Sequence, residues 1–240
     1  ATDGSVGQQW DDRSGGGYVF AQTGAPRPTY RDGASTQAIN YNPVVDFDGT
    51  DDYFENSTPS STIDTFINNS YYEISLVFRA DVVSTDQAQS YRNDGLISSS
   101  NGYFGLNIRS NNTLYQYNWD GNEDTTTQTY AIGDSYLYTA NHTGGNLVSR
   151  LNGVTSATTA SGNTQVVSGA LRIGRNYQSE YFDGQIAELA IYDADKSADR
   201  QKIESHLAAK YGITIDQTVA TDYLANDGAT KMWDGTVGAA

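Results

Sequence analysis

Crowded carboxylates are the feature of this sequence most able to do chemistry. Asp46, Asp48, Asp51 and Asp52 fall within the stretch VVDFDGTDDYF, around the turn pair Asp48-Gly49. Carboxylates so close repel one another unless water or a cation lies between them. Calcium takes about six to eight oxygens, and loops rich in Asp, Asn and backbone carbonyls supply them. Such turns are therefore candidate calcium sites. The alternative is that Asp-Gly, Asn-Asp and Asp-Asp clusters serve only turn geometry and solubility.

A second set of residues suits a sugar. Sugars present apolar C–H faces ringed by hydroxyls, so a site for them wants an aromatic platform with Asp, Asn or Arg beside it. Tyr91, Arg92, Asn93 and Asp94 provide these types, together with Tyr115, Tyr117, Trp119, Asp120 and Asn122. A calcium held by Asp94, Asp120, Asn122 or Asp124 could take ligand hydroxyls, or the carboxylate of a peptide, as further oxygen ligands. The alternative is that Tyr115, Tyr117 and Trp119 face the core and the WDGNED turn is solvated. Arg109 and Arg175 are further anion partners, or pair with the abundant acids.

Catalysis finds little support. Retaining glycoside hydrolysis needs two carboxyls ~5 Å apart and inverting hydrolysis ~6.5–9.5 Å. The paired acids that such chemistry displays on one strand face are missing around Glu73-Ile74-Ser75 and around Glu188-Leu189-Ala190. His142 falls in a polar turn and His206 on a helix. No HExxH, P-loop or dinucleotide glycine fingerprint occurs. A non-catalytic protein is expected.

The elements that must position these residues are mostly strands. YEISLVFR at 72–79 alternates cleanly, YFGLNIR at 103–109 follows an Asn101-Gly102 turn, and TLYQYNW at 113–119 puts Leu114, Gln116 and Asn118 on one face and Tyr115, Tyr117 and Trp119 on the other. Residues 136–141, 147–151 and 169–173 continue the series, with Asn152-Gly153 as another hairpin turn. Residues 185–192 alternate too, placing Ile186, Glu188, Ala190 and Tyr192 on one face and Ala187, Leu189 and Ile191 on the other. After them Ser197 is positioned to cap the one convincing helix, with Asp199 in its first turn. Ile203, Leu207 and Tyr211 make a narrow apolar stripe for docking on a sheet, and Gly212 sits where the helix stops. Such spacing predicts an all-β, two-sheet antiparallel sandwich over residues 1–213 with one C-terminal helix packed on it. Residues 214–240 form a tail that either adds a strand pair around Asn226-Asp227-Gly228 or begins a further domain.

Composition narrows the partners. With 29 acidic and 14 basic residues the net charge is −15, which repels nucleic acid and anionic membrane surfaces. There is no cysteine, so neither a disulfide nor a thiolate metal site forms. No apolar run approaches the ~18 residues that a membrane span needs.

FDGTDDYF at 47–54, LRIGRN at 171–176 and DGQIAELAIYD at 183–193, followed by the helix, together resemble the concanavalin A-like, laminin-G-like jelly-roll domains, especially those of large bacterial surface proteins and adhesins. QWDDRSG at 9–15 resembles the beginning of those domains, and the likeness extends over about 9–213. It implies two curved sheets in a jelly roll, often with Ca2+, binding glycan or protein without catalysis at an extracellular or bacterial cell-surface location. In such domains the acidic turn after the FDG strand and the acid of the late strand lie near the ion, which implies Asp48, Asp51, Asp52, Asp183 and Glu188 as ligands. The late strand here reads IAE where many relatives have IDE, so Ala187 replaces one potential ligand. Two functions stay open: a module that recognises a glycan, or a peptide, on a surface, and a structural subunit or spacer whose strand edges pair with neighbouring domains or copies.

Overall fold

Alternation of apolar and polar residues gives each strand one face to bury, and face-to-face packing of two sheets buries both. The computed structural model describes residues 1–22, 24, 27–56, 67, 71–83, 94–118, 122–161 and 169–236. Two eight-stranded antiparallel sheets form the jelly-roll sandwich. With strands numbered in chain order, the front sheet runs β1 (Gln9–Asp11), β2 (Val19–Ala21), β5 (Phe54–Asn56), β15 (Leu171–Ile173), β7 (Asp94–Ser99), β8 (Phe104–Ile108), β9 (Leu114–Asn118), β10 (Asn122–Thr125). The back sheet runs β13 (Val154–Thr155), β12 (Asn146–Leu151), β11 (Ser135–Thr143), β6 (Tyr71–Ala80), β16 (Asp183–Tyr192), β4 (Val44–Asp48), β3 (Thr29–Arg31), and β14 (Thr159–Ala160) also pairs β12.

The central strand β6 shows why the layers stack as they do. Tyr72, Ile74, Leu76, Phe78 and Ala80 point between the sheets and join a core with Phe47, Phe54, Phe104, Leu106 and Ile186. Val77, on the opposite face, joins a second cluster with Leu137, Leu207, Ala208 and Tyr211. The strand is thus buried on both faces, because the helix α1 (Arg200–Tyr211) covers the back sheet.

Two local expectations are corrected. The residue at the N-cap of α1 is Asp199, with no side-chain capping bond. Ser197 instead bonds Asp195 through its backbone N–H at 2.8 Å. What seats the front of the helix is Arg200, whose guanidinium donates to the fully buried Glu73 at 2.7 and 3.0 Å. Gly212 ends the helix in the left-handed region, as expected. The second correction is to β16. A register shift between Ile186 and Glu188 leaves Ala187 as an extra residue, and such a bulge resets which residues share a face. Leu189 and Ile191 therefore pack against the same core as Ile186, while Glu188 turns to the helix, accepting from Lys210 Nζ at 2.7 Å and from Tyr211 Oη at 2.8 Å.

Beyond α1, Ile213 and Ile215 continue the helix-side cluster. A small antiparallel hairpin, β17 (Tyr223–Leu224) and β18 (Lys231–Trp233), follows. It lies on the helix, with Leu224 N–H donating to Ser205 Oγ at 3.0 Å and Tyr223 packed edge-on to Trp233 at 5.6 Å.

Candidate functional site

Strand β4 carries Asp48 to the end of the back sheet, where it lies directly opposite Asp183, the first residue of β16. The chain then turns sharply. Gly49 has φ +69°, and a Cβ there would lie 2.6 Å from the Asp183 side chain, so only glycine lets the turn approach so closely. Asp48 Oδ1 accepts the backbone N–H groups of Thr50 at 2.9 Å and Asp51 at 3.3 Å, while Asp52 reaches back to accept the Asp48 N–H at 3.2 Å. The carboxylates of Asp48, Asp51 and Asp52 consequently converge, each offering an oxygen within 4.8 Å of the others.

Charge is left uncompensated there. Asp46, next along β4, is held by Arg31 at 2.9 Å and by Gln185 Nε2 at 2.7 Å. Among the described residues, no ion pair reaches Asp48, Asp51, Asp52 or Asp183. Burial, reinforced by the neighbouring Asp48, pushes the Asp52 carboxyl up to about 6. Asp183 is raised as well, by burial and then by Asp81, Asp48 and Asp46. Hard oxygens, excess negative charge and a tight turn suit a calcium ion. Asp48, Asp51, Asp52 and the adjoining Asp183 are the residues that would hold it.

An aromatic and cationic rim adjoins the turn. Gly49 N–H donates to Phe182 O at 3.2 Å, stitching the turn to the hairpin in which Arg175 bridges Tyr181. Tyr53, next to Asp52, and Tyr181, two residues before Asp183, are thereby brought together with ring centroids 6.3 Å apart and planes at 50°. The Arg175 guanidinium lies 4.8 Å from the Tyr53 ring centre and 5.4 Å from that of Tyr181. Sequence reasoning named Arg175 but missed both tyrosines. Their signal was the position of each beside a predicted acidic ligand.

The other predicted residues do not converge here. Tyr91, Arg92, Asn93, Trp119 and Asp120 lie outside the described residues. Asp94 stands opposite Ile108 and Asn122 opposite Asn118, so they mark opposite ends of the β8–β9 pair, about 13 Å apart along the strands. Tyr115 is fully buried and Tyr117 nearly so, stacked at 5.9 Å, with Arg109 lying 4.2 Å over the Tyr115 ring. They form no open platform. Arg109 itself pairs with Glu123. Asp124 is enclosed, accepting from Ser156 Oγ at 2.6 Å, Thr159 Oγ1 at 3.1 Å and the Ser149 N–H, so both its oxygens are spent on pinning β10 to the back sheet. Glu188, engaged with Lys210 and Tyr211, stands apart from the acidic turn because it lies five residues along β16 from Asp183, about 16 Å, and the bulge at Ala187 directs it to the helix.

Glu188 instead borders a cleft of about 490 Å³ lined by Trp10, Tyr18, Phe20, Leu189, Ile191 and Tyr211. It opens because β4 begins only at Val44, preceded by Pro43, which has no N–H to extend a ladder. Upstream, Asn40 and Tyr41 take positive φ and the chain swings to the end of α1, where the Asn40 and Asn42 amides each donate to Lys210 O at 2.9 Å. The outer edge of β16 beyond Ile186 has no strand partner among the described residues.

Comparison with known proteins bears on both the fold and the tail. The family model of the concanavalin A-like lectin/glucanases superfamily matches residues 48–200, and a model described as a domain of unknown function, DUF8202, matches residues 199–240. No curated protein matches the sequence. Among solved structures, Trypanosoma rangeli sialidase in complex with sialic acid is similar at TM-score 0.56 and 13% identity, over 85% of this chain and 32% of the sialidase. The same enzyme in complex with 2,3-difluoro-KDN gives TM-score 0.53 and 12% identity, over 80% of this chain and 30% of the sialidase. The chain thus spans about a third of the sialidase length, and at these identities the likeness is one of fold.

Proposed function

We propose that this chain, which belongs to the concanavalin A-like lectin/glucanases superfamily, is a non-catalytic, calcium-dependent glycan-binding module of an extracellular or cell-surface bacterial adhesin. One observation carries the reading: an acidic turn that no ion pair reaches among the described residues, Asp48, Asp51 and Asp52 against Asp183, is stitched to an aromatic and cationic rim made by Tyr53, Tyr181 and Arg175. Bound Ca2+ supplies the missing positive charge and open coordination positions for sugar hydroxyls. The part-exposed tyrosine rings offer apolar surface to the C–H face of a sugar, and Arg175 and Ser179 offer donors beside them. Against catalysis stands the placement of the acids. Three carboxylates share one turn, whereas hydrolysis needs two carboxyls on opposite sides of the scissile bond of a bound sugar.

A glycan array probed with the purified chain, once with millimolar Ca2+ and once with chelator, tests this reading. Saturable binding that disappears with chelator and in Asp51→Asn is expected, with no cleavage of the bound glycan. Binding indifferent to chelator, or hydrolysis of the ligand, would overturn it. A second reading, a structural or spacer subunit, is favoured by the unpaired edge of β16 above its apolar cleft, since such an edge accepts an added strand. Self-association that rises with concentration in sedimentation, without any ligand, would favour that reading.

A further inference from the structure

Five arginines of this chain find acids. Arg31, Arg79, Arg109, Arg172 and Arg200 each meet a carboxylate within 4.0 Å. Arg13, Arg27 and Arg150 meet none among the described residues, and neither does Arg175, in a chain carrying a net charge of −15. Arg175 is half-buried between two tyrosines, its Nε has no acceptor among the described residues, and its Nη2 donates to Ser179 Oγ at 2.5 Å. The loop behind it is fixed. Asn176 Oδ1 accepts the N–H groups of Gln178 and Glu180, each at 2.9 Å, and Asn176 Nδ2 donates to Glu180 Oε2 at 2.6 Å. This pinning holds Ser179 at φ +68°, a conformation that a non-glycine residue rarely adopts and that persists only where its surroundings enforce it. The enforced turn presents Ser179 Oγ to Arg175 and fixes the guanidinium against the rings.

Resting on the glycan-binding reading, we infer that the ligand is an acidic glycan and that Arg175 is its specificity-determining residue, its guanidinium taking a sugar carboxylate while the ring lies along Tyr53 and Tyr181. A guanidinium binds a carboxylate through paired, charge-assisted hydrogen bonds, which a neutral hydroxyl cannot match. The two angled, part-exposed tyrosine rings suit the compact apolar C–H patch of a pyranose better than an extended peptide. The acidic turn beside the rim repels an anion until a cation neutralises it, so binding of the acidic sugar depends on calcium more steeply than binding of a neutral one.

The test is calorimetric titration of the chain, in Ca2+ and in chelator, with a uronic-acid oligosaccharide and with its carboxyl-reduced neutral counterpart. The wild type is expected to prefer the acidic sugar by about tenfold or more in Ca2+, equivalent to ~1.4 kcal/mol. Arg175→Gln should abolish the preference, weakening the acidic sugar about tenfold more than the neutral one while leaving calcium affinity within about twofold, and Arg175→Lys should keep part of it. Equal affinity of the wild type for both sugars, or a preference that survives in Arg175→Gln, overturns the inference while the glycan-binding reading stands. Binding of neither sugar in Ca2+ overturns both. Tighter binding of a sulfated oligosaccharide than of the uronate, or of a peptide C-terminal carboxylate than of either sugar, overturns the assignment of the acidic sugar.

Discussion

Asp52 is 6% exposed and accepts the Asp48 N–H, yet no cation pairs with it among the described residues. Its carboxyl is raised to about 6 by burial and by Asp48, above the ~3.9 of an unfolded chain. A group raised in the folded state contributes stability that is fully present below its unfolded value and lost as pH rises through the folded one. In chelator, the wild type should therefore lose stability between about pH 4 and 7 relative to Asp52→Asn, and at pH 7.5 Asp52→Asn should melt about 2–4 °C higher. With Ca2+ the order reverses, because the carboxylate is then a ligand. Melting curves of both proteins across pH, with and without calcium, check this. The acidic turn was legible because its acids are adjacent in sequence and bracket a glycine. The rim was not, because Tyr53 and Tyr181 meet only through a bridge between segments more than 120 residues apart. Tyr115 and Tyr117 misled for a related reason, since alternation shows that two residues share a face without showing that the face is covered.

At the scale of elements, β6 and α1 are joined by an ion pair that burial makes costly to break. Glu73 is fully buried, and burial raises its carboxyl even though Arg200 opposes the shift. Removing Arg200 takes away the hydrogen-bonded partner of that charge and leaves only the more distant Arg150, so Arg200→Met should cost about 3–5 kcal/mol in denaturant unfolding, and the double variant Glu73→Gln/Arg200→Met should recover most of it. A recovery of nothing would mean that the loss is packing alone. The central strands and the helix stop at Gly212 followed from period-two alternation and turn residues. The bulge at Ala187 did not, and that single extra residue accounts for the misplaced face of β16 and for Glu188 turning to the helix, while the length of β16 keeps Glu188 about 16 Å from the acidic turn. The N-cap at Asp199 was missed because the Ser197 hydroxyl is already taken by Asp195.

For the whole molecule, acidic charge, the layered core and the site form one account. The sandwich places the end of β4, the start of β16 and the Arg175 hairpin at one rim, and the net charge of −15 leaves that rim in need of a cation. The architecture was readable from spacing and turns because those are local. The cleft beside β16 was not, because it arises where Pro43 and the positive-φ pair Asn40 and Tyr41 draw the chain away from the sheet. The central claim is that Asp48, Asp51 and Asp52 hold a functional calcium ion, and titration of Ca2+ into the chelated chain tests it most directly. A saturable site that raises the melting temperature, and is lost in Asp51→Asn, is the predicted result. A chain that takes up no calcium at millimolar concentration, or takes it up equally well in Asp51→Asn, would contradict the account.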